Sequence, residues 1–334
     1  MRTVSVAMAT LNGERFLREQ LASLAGQTVR PAELVVRDDG SSDGTLDVLA
    51  EFARESPFPV NVERGERRLG FADAFLAAAR SCTGQLIAFC DQDDVWLPRK
   101  LERCVATFAR GDVLVAIHSS EIVEERLEPT GRRYPDVRAD VTAPPLETDP
   151  WLAVRGMSMV VDARLLALAD PDDRPPSHYL EGAWMHHDEW LYALGRGLGA
   201  VAFVAESLAL YRQHGSNVAG APGGAAARVR EALTTGWGYY ARRRDQARQL
   251  AATFERLAIS LDDEELAHRA GAAARSLGQL AAQLERRLSV YEPGAPRRRR
   301  LRRLTGLVRS GDYRRLGAGA LARDAVMIAL GRHG

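Results

Sequence analysis

Strand-like and helix-like segments alternate through the first ninety residues of this 334-residue chain. Short apolar runs typical of buried strands are each followed by a stretch with apolar residues at helical spacing. This rhythm predicts a mostly parallel, doubly wound α/β sheet flanked by helices, because parallel strands need crossover connections. The predicted segments are strand 4–10, helix 14–25, strand 33–37, helix 45–55, strand 59–63, helix 72–81 and strand 85–90.

Residues 228–290 have a different character. They are rich in Ala, Leu, Arg, Gln and Glu with few breakers, a composition that favours helices. A Gly- and Ala-rich stretch precedes them, and we place a domain boundary there. The sequence therefore predicts an α/β domain over 1–222 and a helical C-terminal region over 223–334.

Composition excludes several classes of protein. The three cysteines lack CxxC spacing, which argues against a disulfide framework or a zinc site and favours a reducing compartment. No apolar run approaches the ~20 residues that span a bilayer, and the first residues do not have the pattern of a signal peptide. We therefore expect a cytoplasmic protein.

In the segment LIAFCDQDDVW, residues 86–96, a short apolar run is followed directly by three carboxylates. Asp91 and Asp93 lie two residues apart, so an extended backbone points both the same way, at the strand end where α/β sheets bind ligands. Hard oxygen ligands suit Mg²⁺ or Mn²⁺ shared with substrate phosphates. The alternative is a polar strand-to-helix turn, with Asp94 near the start of a helix from Pro98.

The second predicted strand ends in RDDGSSDGT, residues 37–45. Asp38 and Asp39 can accept hydrogen bonds from a base N–H or a ribose hydroxyl, and we favour Asp39 as the ligand. For Ser42 or Asp43 we favour a simpler role, the N-cap of the following helix.

The first predicted strand ends in ATLNGE, residues 9–14. Only Gly13 is present where a dinucleotide fold has GxGxxG, so a nicotinamide or flavin cofactor is disfavoured. Thr10 and Asn12 can instead offer polar contacts to a nucleobase.

Asp188 lies in the segment AWMHHDEWLYAL, residues 183–194, flanked by Trp184 and Trp190. A carboxylate against aromatic walls can have its pKa tuned for base duty, and indole faces pack on sugar rings. The alternative is an amphipathic helix with its charged side in water. The adjacent HHD residues of this segment could also suggest a zinc site. We rank it low, because adjacent side chains rarely fit one tetrahedral ion.

Two basic segments follow. Arg212 and His214 in YRQHGSNV can pair with phosphate oxygens, although lone basic residues in loops are more often solvated. Residues 297–315 contain nine arginines and one acid, a local charge of +8. The run Arg297–Arg303 could dock on an anionic membrane, or form a solvated helix end or tail. It has no interleaved aromatics, which disfavours nucleic acid.

Taken together, these segments resemble the inverting glycosyltransferases of family 2, which have the GT-A fold. The resemblance covers most of residues 4–218 through six motifs in the family's order. DQDDVW and YRQHGSN are most similar to the bacterial rhamnosyltransferase-like branch, which builds cell-surface polysaccharides. The resemblance implies a dTDP- or UDP-linked sugar donor and a glycan or lipid-linked acceptor. It also implies a protein that lies in the cytoplasm or is peripheral at the inner face of the plasma membrane.

The resemblance also implies roles for individual residues. Asp188 takes the position of the catalytic base, and Asp93 would hold Mn²⁺ or Mg²⁺ on the donor diphosphate. Glu189 replaces a Trp that is common in the family, so it competes with Asp188 for the base role or shapes the acceptor pocket with its neighbours. The other implied donor contacts are Thr10, Asn12, Glu14, Asp39, Asp91, Arg212 and His214, and the acceptor-site candidates are Trp184, Glu189 and Trp190.

Two other functions remain open from the sequence. A sugar nucleotidyltransferase also pairs a parallel sheet with a divalent metal, but ATLNGERFL lacks its Gly-rich basic phosphate loop. A catalytically idle nucleotide-sugar-binding scaffold is the second alternative, and the presence of both Asp93 and Asp188 argues against it.

Overall fold

The computed structural model describes residues 2–179, 182–215, 217, 237–292, 294–313 and 318–329. These residues form two compact units. The first contains the described residues up to Arg174 and resumes at His186, and the second contains Pro175–Met185 with the described residues after 222. The predicted boundary at residue 222 itself lies outside the described residues.

One mixed sheet runs through the first unit. Its strands are β1 Val4–Thr10, β2 Glu33–Asp38, β3 Val60–Arg64, β4 Leu86–Cys90, β5 Val95–Trp96, β6 Val113–Val123, β7 Pro129–Arg133, β8 Val141–Ala143, β9 Met159–Asp162 and β10 Ala200–Arg212. Their main order is β3-β2-β1-β4-β9-β6-β10-β5, with β7 on β6 and β8 on β10.

Helices cover the sheet and build the second unit. In the first unit they are α1 Glu14–Ala25, α2 Thr45–Glu55, α3 Phe71–Arg80, α4 Lys100–Thr107, α5 Arg164–Leu168 and α6 His187–Leu198. In the second they are α7 Trp237–Ser260, α8 Glu264–Leu288, α9 Arg297–Arg309 and α10 Ala318–Ala329. The predicted C-terminal helices are therefore confirmed for the part of the chain that is described.

The parallel half of the sheet follows the predicted rhythm. β3, β2, β1 and β4 are parallel neighbours, and every residue of β4 is buried, as expected for a strand covered on both faces. Beyond β4 the sheet becomes mixed, because β9 runs antiparallel to both β4 and β6 while β6 and β10 are parallel.

This topology brings polar chain ends to one edge of the sheet. In the parallel register Thr10 lies opposite Asp38, and Met8 lies opposite Cys90, which immediately precedes Asp91. The loops after β1, β2 and β4 therefore meet where open α/β sheets bind their ligands.

The second unit is built around its two longest helices. α7 and α8 pack along each other, and the buried face of α8 is rich in small residues such as Ala270, Ala273 and Ala281. Asp263 caps α8 by accepting a hydrogen bond from the backbone N–H of Leu266 at 3.0 Å. No helix in the described ranges has the length and apolar character needed to cross a membrane.

Candidate active site

Three carboxyl groups crowd the loop that follows β4. Burial and the negative charges of Asp93 and Asp188 raise the pKa of Asp91 to about 7. Asp94 is fully buried and accepts a hydrogen bond from the backbone N–H of Arg212 at 3.0 Å. Burial and the charges of Asp93 and Asp91 raise the pKa of Asp94 well above its usual value. Asp94 does not cap α4.

These carboxylates fit a divalent cation that is shared with a substrate. Within the described ranges, no group of three or more His, Cys, Asp or Glu side chains is placed to hold a metal by itself. Mg²⁺ and similar ions, however, use one or two carboxylates plus substrate phosphates. Burial is the largest cause of the raised pKa of Asp91, and the negative charges of Asp93 and Asp188, which a cation would offset, add to it. Asp93 and Asp91 are the residues that would hold it.

A buried lysine lies beneath the cluster. The Nζ of Lys100 donates a hydrogen bond to the backbone oxygen of Met157 at 2.5 Å and lies 3.4 Å from the centroid of the Trp96 ring. Burial lowers the pKa of Lys100 to about 8, and its charge acts on Asp94 and Asp91. The sequence analysis missed Lys100, because a lysine at the start of a predicted helix is ordinarily solvated.

Asp188 lies at the amino end of α6, where negative charge is favoured. It is only 6% exposed, and its Oδ2 accepts a hydrogen bond from the backbone N–H of Gly156 at 3.1 Å. The Oε2 of Glu189 accepts from the backbone N–H of His186 at 3.2 Å. Burial and the charge of Asp188 raise the pKa of Glu189 to about 7. The two acids thus share one charged environment but have different backbone anchors.

Arg155 faces these acids and was not identified from the sequence. Its guanidinium carbon lies 5.4 Å from the centroid of the Tyr134 ring, and its charge acts on Asp91, Asp188 and Glu189. Its Nε has no hydrogen-bond partner among the described groups. Its Nη1 lies 3.4 Å from the backbone oxygen of Val154, and its side chain also hydrogen-bonds with Tyr211, so protein groups hold this half-buried cation beside the acids. In the sequence, the only indication of a role for Arg155 was that it is a single basic residue in the apolar segment WLAVRG.

Asp39 holds the backbone ahead of α3. Its two carboxylate oxygens accept hydrogen bonds from the N–H groups of Leu69 at 2.7 Å and Gly70 at 2.8 Å. The side chain is buried between β2 and this loop. Asp38 bonds with the hydroxyls of Thr10 and Ser41, which fixes the turn after β2. Asp39 and Thr10 therefore lie at the predicted edge of the sheet, where they shape the loops.

Asn12 and Glu14 connect the loop after β1 to the start of α2. Asn12 has a left-handed backbone with φ of 49°, and its Oδ1 accepts from the N–H of Ser42 at 2.8 Å. The Oε2 of Glu14 accepts from the N–H of Gly44 at 2.9 Å. The predicted N-cap role of Ser42 or Asp43 is wrong, because the N-cap of α2 is Gly44; Asp43 precedes it, and its Oδ1 accepts from the N–H of Thr45 at 3.1 Å.

Gln92 joins the loops after β1 and β4. Its side-chain amide accepts from the N–H of Leu11 at 2.9 Å and donates to the carbonyl of Leu11 at 3.1 Å. A Cβ atom at Gly13 would lie 2.2 Å from the Gln92 Oε1, so the glycine permits this close approach. The DQDD segment thus carries a structural amide between its acids, which the sequence analysis did not assign.

Arg212 corrects one prediction. Instead of extending from a loop toward a diphosphate, it is 2% exposed, with Nε donating to the backbone oxygen of Asp93 at 2.7 Å and Nη1 to that of Glu125 at 2.7 Å. It also pairs with Glu19. The guanidinium is occupied by protein groups and fixes the loop that carries Asp93. His214 lies closer to the acids, with its Nε2 2.8 Å from the Oδ2 of Asp93.

The two tryptophans flanking Asp188 have opposite environments. Trp190 is fully buried, so its indole faces are packed against protein and unavailable to a sugar, which corrects its prediction as an acceptor surface. Trp184 is 59% exposed and belongs to the second compact unit. The neighbouring His187 packs against Phe75 and Phe89, and burial lowers its pKa to about 4, so it is neutral.

Comparisons with known proteins identify a family model and several relatives with similar sequences. Residues 5–166 match the family model for glycosyl transferase family 2. An uncharacterised glycosyltransferase of Nostoc sp. is 28% identical over 218 residues, which is 64% of this chain and 66% of that protein. The Escherichia coli UDP-Glc:α-D-GlcNAc-diphosphoundecaprenol β-1,3-glucosyltransferase WfgD is 32% identical over 120 residues, which is 36% of this chain and 46% of WfgD.

A solved structure shows the same fold. Residues 1–349 of Staphylococcus aureus TarS superpose with a TM-score of 0.53 at 19% identity, covering 99% of this chain and 92% of that one. The predicted GT-A-like α/β fold is therefore confirmed. The sequence matches span 66% of the Nostoc protein and 60% of an uncharacterised Mycobacterium bovis protein, which is less than two thirds of either.

Proposed function

We propose that this chain is an inverting glycosyltransferase, because residues 5–166 match the family model for glycosyl transferase family 2. It moves a sugar from a nucleoside-diphosphate donor to a glycan or lipid-linked acceptor. The observation that carries the proposal is the position of Asp188, a carboxylate at the amino end of α6 whose charge acts on Asp91 after β4. In this proposal, Asp188 as the base would face the diphosphate site at Asp91 and Asp93.

The donor is the first half of the proposal. WfgD is named for a UDP-Glc donor, and TarS has been crystallised with UDP and with UDP-GlcNAc. We propose that this chain also uses a nucleotide-sugar donor. The candidate donors are UDP- and dTDP-linked sugars, including rhamnose. The base and ribose would lie at the edge formed by Thr10, Asn12 and Asp39, with the diphosphate toward Asp93.

Asp188 is the proposed general base. The N–H groups of Gly156 and Glu189 donate hydrogen bonds to its two oxygens and orient the carboxylate. As an acceptor hydroxyl attacks the anomeric carbon, its proton passes to Asp188 while the bond from that carbon to the diphosphate breaks. One displacement of this kind inverts the anomeric centre. A positioned base contributes ~10²–10⁴-fold to such a step.

Charge compensation completes the site. The leaving diphosphate gains negative charge, and a divalent metal held by Asp93 and Asp91 would supply Lewis-acid stabilisation there. The chain's own cations are Arg155, which faces the acids, and Lys100, which lies beneath them. Together they limit the repulsion among Asp91, Asp93 and Asp188 before substrate arrives.

The placement of the rest of the chain extends this proposal. We assign donor binding and chemistry to the domain over 1–222 and acceptor or surface contacts to the helical region over 223–334. A role in cell-surface polysaccharide synthesis would place the protein in the cytoplasm at the inner face of the plasma membrane. Its acceptor hydroxyl would then be presented from the lipid side.

Thermal denaturation with nucleotides tests the donor site directly. We would measure melting temperature with UDP, dTDP, GDP and their sugars, each with Mn²⁺ or with EDTA. A ligand at ~100 times its dissociation constant stabilises the folded state by ~2.7 kcal/mol. Stabilisation by one nucleotide that depends on metal identifies the donor class. No stabilisation by any nucleotide would refute the transferase proposal, and pyrophosphate release from NTP plus sugar phosphate would favour a nucleotidyltransferase instead.

A further inference from the structure

The helix α9, Arg297–Arg309, presents one strongly basic face. Arg298, Arg302 and Arg309 are spaced by four and seven residues, so they lie on the same side of the helix. All three are exposed. We call them the basic stripe. The opposite side of α9 is buried in the second unit through Arg300, Leu304 and Leu307.

An exposed apolar stripe runs beside the basic one. Leu301 is 43% exposed and Val308 is 45% exposed, and they are seven residues apart with Thr305 between them. Single exposed apolar residues are ordinary on protein surfaces. Two at helical spacing along a row of arginines form the amphipathic pattern of helices that lie in a membrane interface.

The charge of this face is not balanced within the helix. The sequence RRRRLRRLTGLVR of α9 contains seven arginines and no acid. Glu292 pairs with Arg303, and the basic stripe lies outside that ion pair. The exposed face of α9 therefore presents a net positive charge to any surface that approaches it.

We propose that α9 docks this chain on the surface of an anionic phospholipid bilayer. The guanidinium groups of the basic stripe contact headgroup phosphates, and Leu301 and Val308 enter the boundary between headgroups and acyl chains. Each arginine near such a surface strengthens binding about fivefold. A single-stranded nucleic acid is the weaker candidate, because α9 has no aromatic side chain on which bases stack. The docking requires no nucleotide and no acceptor, so it stands apart from the transferase proposal.

Vesicle flotation of the full chain tests this inference. We expect the protein to float with vesicles of phosphatidylcholine mixed with phosphatidylglycerol and to remain behind with phosphatidylcholine alone. Raising the salt concentration should weaken binding, because the screening length falls from ~10 Å at 0.1 M to ~3 Å at 1 M. Binding to vesicles that remains at high salt would be due to the apolar stripe.

Substitutions in each stripe measure separately how much the basic stripe and the apolar stripe contribute to vesicle binding. Arg298→Glu/Arg302→Glu/Arg309→Glu should lower the vesicle partition coefficient at least ~100-fold, since three attractive charges become repulsive. The matched control Arg30→Glu/Arg54→Glu/Arg110→Glu changes three exposed arginines of the first unit by the same charge and should retain most of the binding. Leu301→Ala/Val308→Ala should weaken binding about tenfold while leaving its salt dependence unchanged. Unchanged melting temperatures verify that these variants fold.

Several outcomes would overturn the inference. Equal flotation with and without phosphatidylglycerol, or no flotation with either, removes the anionic bilayer as the partner. Equal losses in the α9 and control triple variants would show that net charge, rather than this face, governs binding. Retention of a short single-stranded RNA that is lost in the α9 variant, without vesicle binding, would assign the face to nucleic acid.

Discussion

The imidazole Nε2 of His214 lies 2.8 Å from the Oδ2 of Asp93, although 121 residues separate them in the chain. The ring of His214 also lies 4.7 Å from the Phe16 ring, centroid to centroid, on α1. The segment after β10 is therefore joined to the loop after β4 through the carboxylate that we assign to the metal. Arrival of a cation and a diphosphate at Asp93 would compete with this contact.

Asp93→Ala should abolish metal-dependent donor binding. The variant removes the carboxylate proposed to hold the ion, while Asp91 alone retains its repulsion from Asp188. Calorimetric titration with the donor nucleotide, with and without Mn²⁺, measures the effect. The exposed Asp136→Ala serves as the matched control, and it should bind as the wild type does. An Asp93→Ala variant whose affinity still rises on adding Mn²⁺ would show that the ion binds elsewhere.

Asp188→Asn should lower turnover at least ~100-fold, because the amide cannot take the acceptor proton. Donor affinity should stay near that of the wild type, since Asp188 contacts no predicted donor group. Steady-state kinetics and nucleotide titration of the same preparation provide both numbers. Glu189→Gln is the matched variant and should keep most of the turnover. If instead Glu189→Gln is inactive and Asp188→Asn is active, Glu189 is the base.

The raised pKa of Glu189 predicts a pH-dependent stability. Its carboxyl has a pKa of about 7 in the fold and 4.5 as a model compound, so between these values the folded chain keeps a proton that the unfolded chain releases. The free energy of unfolding therefore falls as pH rises through this window. Over this window the free energy of unfolding falls by about 3 kcal/mol.

Glu189→Gln isolates that contribution. Relative to the wild type, the variant should gain stability between about pH 5 and about pH 8, because glutamine has no proton to lose. Urea unfolding at the two pH values measures the difference. Asp188→Asn should reduce the same pH dependence, since the charge of Asp188 is one cause of the shift. A wild type and Glu189→Gln pair with parallel pH profiles would contradict the assignment.

The fold was predictable from sequence where each local pattern had one physical solution. β1, α1 and α2 have the predicted bounds, because alternating buried strands and amphipathic helices leave little freedom. The motifs also located the carboxylates near one another, since the ends of parallel strands meet. Side-chain partners were not predictable. Arg212 resembles a loop cation in sequence, and only tertiary contacts with Glu125 and Asp93 show that it is buried.

The partners of Arg155 were likewise not predictable from the sequence, and its position leads to a further prediction. Arg155→Met keeps the side-chain length but removes the cation that acts on Asp188 and Glu189. Turnover should fall, and the pH at which it is half maximal should move upward by about one unit, because an opposite charge nearby favours ionised carboxylates. Arg155→Lys should restore much of the wild-type profile. A lower turnover with an unmoved pH profile in Arg155→Met would show a purely structural role.

Asp324 should be the most stability-sensitive acid of the second unit. It is fully buried and accepts hydrogen bonds from the Nε of Arg287 at 2.7 Å and from its Nη2 at 2.6 Å, with the hydroxyl of Tyr291 as a further donor. Asp324→Asn leaves the Arg287 cation buried without its counter-charge, which costs about 3–5 kcal/mol of unfolding free energy. Glu285→Gln, at a half-exposed carboxylate that pairs with Arg248 and Arg244, should cost about 1 kcal/mol or less. Urea unfolding of both variants measures the contrast, and equal small losses would show that water compensates the Arg287 charge.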